Sequence, residues 1–135
     1  MDLKSAAKRH LRCAERLAAQ QEASEACYLI GLAAECAVKA HLVEIGYTGP
    51  GKSKNKQDVK SALWIHFPDL ATELLAHGEG SIARSVLTII GDQSLLKGWS
   101  VKMRYKHEVS SPTVVKRYAK WKDQTNQLFV EVGLV

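Results

Sequence analysis

Several kinds of chemistry are missing from this chain, and each gap removes a class of protein. Its 135 residues include only three cysteines, Cys13, Cys27 and Cys36, too few and wrongly placed for a disulfide scaffold or a structural zinc site. Cys27 and Cys36 would point to opposite sides of one helix, and all three read as reduced, mostly buried small side chains. No pair among the five histidines has the i, i+4 spacing of a helical metal site with a third donor, so no metal is expected. A Gly-rich phosphate loop, a nucleophile elbow and a paired-carboxylate motif are all lacking, and no cofactor is expected. The stretch MDLKSAAKRHLRCAERL carries charges at helical spacing and no continuous apolar run, the pattern of neither a signal peptide nor a membrane span. The expectation is a cytoplasmic protein without membrane contact.

What is present is a content of 46% hydrophobic residues, enough to build one core, in a chain near the modal domain size. Residues 1–135 read as a single all-α domain, an antiparallel bundle of four to five helices. Leu3, Ala6, Ala7, Ala14, Leu17 and Ala18 form one stripe of a first helix, with Lys4, Lys8, Arg12, Glu15 and Arg16 on the other face. After a break at 20–23, a second helix runs to Ile45 and stops at Gly46, a residue suited to a left-handed C-terminal cap. The segment TGPGKSKNKQDVK cannot bury enough apolar surface to order itself, and a mobile basic loop is expected at about 47–61. Pro68 suits the start of a third helix that closes before Gly78, and residues 81–90 read as a fourth. Ser111 and Pro112 make an N-cap and first-turn pair for a long last helix with Val114, Tyr118, Trp121, Thr125, Leu128 and Val132 on one side.

The second helix contains the most informative string, YLIGLAAECAVKAHL at 28–42. Nearly every position is apolar or small, as in a helix at the centre of a bundle, yet it holds Glu35 and Lys39 at i and i+4. Two readings stand. The pair satisfies itself inside the core, or Glu35 is a functional carboxylate aimed at a group from elsewhere in the chain.

That group has a candidate at 99–107, WSVKMRYKH. Trp99, Val101, Met103 and Tyr105 alternate with Ser100, Lys102, Arg104 and Lys106, a period of two that suggests an extended or irregular segment. Residues 97–122 hold eight Lys or Arg against one acid, Glu108, in a chain whose net charge is only +5. Cations that offset phosphate charge, interleaved with aromatic faces that stack on bases, fit single-stranded RNA or a nucleotide. The competing reading is that Trp99 and Tyr105 anchor the segment while its cations stay solvated.

Taken together, GLAAECAVKA, HFPDL and the Trp99 and Arg104-Tyr105 elements resemble the HEPN domain family, small helical domains that include RNA-cleaving toxins and nucleotide-binding partners of nucleotidyltransferases. The resemblance spans most of the chain. It implies a HEPN-like bundle, pairing into a homodimer, and a place in a toxin–antitoxin or nucleotidyltransferase-partner system. The first function it implies is a module binding RNA or nucleotide through Lys102, Arg104, Tyr105, Lys106 and Trp99. The second is a metal-independent ribonuclease, in which His107 moves protons, Arg104 stabilises charge developing on phosphorus and Glu35 orients one of them. Here the chain departs from the nuclease branch of the family: His107 follows Arg104 after two residues, where that branch spaces its histidine five to seven positions on. The binding module is therefore the preferred expectation.

Overall fold

The computed structural model describes residues 2–47, 63–106 and 108–134. Among them there is no strand; the elements are five α-helices and one 3₁₀ turn, and residues 63–64 are helical as well. The helices are α1 (Leu3–Ala19), α2 (Ala23–Glu44), α3 (Asp69–His77), α4 (Arg84–Ile90) and α5 (Pro112–Glu131), with the 3₁₀ turn at Val101–Tyr105 between α4 and α5. The expected basic loop, apart from Tyr47, and His107 lie outside the described residues.

The first two helices fold back on each other across a tight turn in which Gln21 takes a positive φ of 64°. Alanines permit the close approach: Ala7 and Ala14 of α1, and Ala33 and Ala37 of α2, have no exposed surface. The other side of α2 packs on α5, whose buried stripe is the one its spacing predicts, Val114, Tyr118, Trp121, Thr125 and Leu128, with Phe129 added. Thus α2 is enclosed by helices and is the core element. By length and composition it could cross a membrane, yet two thirds of its most apolar window is buried inside the bundle.

Local capping accounts for several boundaries. The Ser111 hydroxyl accepts from the Val114 N–H at 3.2 Å, with Pro112 opening the helix. At the end of α2, Gly46 has φ of 69°, the Tyr47 N–H donates to the Leu42 carbonyl and the Gly46 N–H to that of Val43. This is the double hydrogen bond that satisfies terminal carbonyls when a left-handed residue follows a helix. Helix α4 begins at Arg84, later than the apolar pattern predicts from residue 81, because Ile82 is drawn back: its N–H donates to the Gly78 carbonyl and its side chain buries there. In α3, Leu70 and Leu74 are fully buried whereas Leu75 is 46% exposed.

For 99–106 an extended or irregular segment was expected; the extended alternative does not hold, since Val101–Tyr105 form a 3₁₀ turn, started by Ser100, whose hydroxyl accepts from the Lys102 N–H at 3.1 Å. Burial alternates as far as Arg104, with Val101 and Met103 half-buried and Lys102 and Arg104 exposed, and the alternation ends at the exposed Tyr105.

Candidate functional site

Glu35 is the polar centre of the core. Only 4% of its side chain is exposed, and it accepts from three donors: Lys39 Nζ at 3.1 Å and His66 Nδ1 at 2.9 Å, both on Oε2, and the Phe67 backbone N–H at 3.0 Å on Oε1. Because a carboxylate only accepts, His66 Nδ1 must carry the hydrogen. Moving a lone carboxylate out of water costs several kcal/mol, whereas hydrogen bonds to charged groups recover roughly 1.5–3 kcal/mol each. Three of them make the burial tolerable and moor residues 66–67 to α2. Among the described residues, the partners of Glu35 come from its own helix and the segment just before α3, and Arg104 is not one of them.

Trp99 does a parallel job for the basic segment. It is 2% exposed, its ring stacks on Tyr28 with centroids 6.2 Å apart, and its Nε1–H donates to the Tyr28 carbonyl at 3.1 Å. A Cβ at Gly31 would overlap the indole, so glycine is required there by close approach. Buried to this extent, Trp99 offers no surface on which a base could stack, and its expected binding role gives way to that of an anchor. The stretch before it is fixed as well. Gln124 of α5 accepts from the Leu96 N–H at 2.9 Å and donates to the Ser94 carbonyl at 3.1 Å.

Held by these contacts, the 3₁₀ turn presents its polar side chains to solvent. Lys102, Arg104 and Lys106 are exposed, and Tyr105 is 78% exposed with the Arg104 guanidinium carbon 4.9 Å from its ring centroid. Lys97, Lys116 and Lys120 are exposed too. The other cations of 97–122 are engaged: Arg117 pairs with Glu108 and lies over Trp121, and Lys122 reaches Glu15 at 3.8 Å. The hydrogen bond from Arg117 holds the Glu108 carboxyl below its ordinary range. Tyr118 and Trp121, counted in the sequence among the interleaved aromatics, are buried.

Two residues that sequence reasoning left aside belong to this picture. His66 is 45% exposed while bonded to Glu35, and Trp64, two positions before it, is 73% exposed. The signal for His66 was its place in HFPDL, directly before α3; nothing local linked it to a carboxylate 31 residues earlier. The exposed Trp64 had no signal, since an isolated tryptophan reads as core.

A scan against protein-family models returns no match for this chain, and searches of curated proteins and of solved structures return none either.

Proposed function

We propose that this chain is a HEPN-like helical module that binds RNA or nucleotide phosphate through the turn at Val101–Tyr105. One observation carries the reading: Arg104 stacks on an exposed Tyr105, flanked by exposed Lys102 and Lys106, on a turn fastened to the core by Trp99. A guanidinium can grip phosphate with two hydrogen bonds, and the open tyrosine face can take a base. Pinning the turn beforehand lowers the ordering cost of binding. The module acts in the cytoplasm as a homodimer, with a nucleotidyltransferase-like protein as a further partner, within a toxin–antitoxin or related system.

The ribonuclease reading through Arg104, His107 and Glu35 has less support, because both Glu35 oxygens already accept hydrogen bonds within the bundle. The test is fluorescence anisotropy with 5′-labelled decauridine in chelator. Arg104→Ala should weaken binding roughly tenfold to a hundredfold, the range for hydrogen bonds to charged groups. Removing the ring with Tyr105→Ala should cost about 1–3 kcal/mol of stacking. Binding untouched by both but abolished by replacing Lys116 and Lys120 would move the interface to α5. Cleavage of the decauridine, lost in His107→Ala, would restore the nuclease reading.

A further inference from the structure

Gly31 and Glu35 stand one helical turn apart on the same face of α2, separated by about 6 Å along its axis. Trp99 rests on the first, and His66 is bonded to the second. Two segments, the one leading into α3 and the one carrying the basic turn, are therefore moored one helical turn apart on the core helix. Each presents an exposed aromatic ring, Trp64 on one and Tyr105 on the other. The segment that carries Trp64 also carries the half-exposed His66 imidazole, held by Glu35.

Glu35 accepts from His66 Nδ1, and in the neutral imidazole that places the ring's one hydrogen on Nδ1 and leaves Nε2 a lone pair with which to accept. His66 is 45% exposed whereas Glu35 is almost wholly buried, so the Glu35-bonded side of the ring faces inward and solvent reaches the rest of it. An acceptor does not attract a phosphate oxygen; it requires a ligand that donates. On a nucleic acid strand whose phosphate and base are held by Arg104 and Tyr105, the donor that distinguishes one polymer from the other is the ribose 2′-hydroxyl.

We infer that His66, positioned by Glu35, accepts a hydrogen bond from a ribose 2′-hydroxyl and makes the site selective for RNA over DNA. This rests on the proposal that the turn around Arg104 binds nucleic acid, and it adds a specificity-determining residue from a different part of the chain.

The experiment compares affinities for labelled decauridine and decadeoxyuridine, which share every base and phosphate and differ only in the 2′-hydroxyl. The wild-type protein should prefer the ribo form about threefold to tenfold, the range for one neutral hydrogen bond. His66→Asn retains a donor at the Nδ1 position for Glu35 but has no atom at Nε2. It should melt like the wild type and lose the preference, bringing the two affinities within twofold of each other. His66→Gln places an amide oxygen near Nε2 and should restore part of the preference. A wild-type ratio near one, or a preference that survives in a folded His66→Asn protein, overturns the inference while leaving the basic turn intact. Arg104→Ala provides the separation: it should weaken both oligonucleotides equally and leave their ratio unchanged. If Arg104→Ala alters neither affinity, or neither oligonucleotide binds, the underlying reading fails and this one falls with it.

Discussion

Glu35 and Arg104 are both charged, and both depend on α2 for their placement, yet their surroundings are opposite. Glu35 is 4% exposed and surrounded by donors from Lys39, His66 and Phe67, whereas Arg104 lies in the open with the Tyr105 ring beside it. Inside the bundle a charge has to be fully matched by the fold, because water is not there to do it. Outside, an unmatched charge costs little, and the structure can leave it available. The same helix thus bears a charge that serves the protein and supports one that can serve a ligand. The lesson is that charge near a core helix carries no functional meaning until its partners are known.

The comparison breaks most severely at its buried end. Glu35→Ala strands the Lys39 ammonium and the Phe67 N–H without an acceptor, and removing one partner of a buried ion pair costs roughly 3–5 kcal/mol. Urea denaturation followed by circular dichroism should report that loss; a change below about 1 kcal/mol would mean that Lys39 and the segment before α3 relax into water freely.

A smaller effect is expected where the basic turn is fastened. Gly31→Ala drives a methyl group into the Trp99 indole, and overpacking of this kind costs about 1–3 kcal/mol. It should also weaken decauridine binding, although Gly31 is buried and touches no ligand, because the turn would no longer be held in place. Unchanged binding in a destabilised Gly31→Ala protein would show that the turn does not need its anchor.

At the exposed end, Arg104→Ala should leave the melting midpoint nearly unaltered, within the roughly 0.5 kcal/mol usual for surface changes, while reducing affinity as described above. Equal losses of stability and binding would erase the contrast with Glu35.

The smallest effect is confined to alkaline solution and concerns Tyr118 of α5. Burial pushes its hydroxyl up to about 12, and the hydroxyl has no hydrogen-bond partner. Because the folded value lies above the unfolded one near 10, the contribution is complete below pH 10. It is lost progressively as the pH rises from there toward 12. Tyr118→Phe should flatten that part of the stability profile and leave neutral-pH stability no lower than before. A profile identical to wild type would assign the alkaline loss to other groups.

What the sequence determined by itself is the part governed by interactions a few residues long. The helical periods of α1, α2 and α5, the Ser111–Pro112 start and the Gly46 stop were all legible, because each depends on neighbours within about one turn. The basic character of 97–122 was legible too, but not which of its cations were already engaged by Glu108 and Glu15. Only the tertiary structure decided that Glu35 meets His66 across 31 residues and that Trp99 meets Tyr28 across 71. Such pairings depend on how helices pack and where irregular segments cross them, which residue spacing does not encode. The period-two pattern at 99–106 shows the same division: it placed Trp99, Val101 and Met103 on the sheltered side but also Tyr105, which is exposed, and the contacts of Trp99 and Ser100 accompany a backbone that is a 3₁₀ turn.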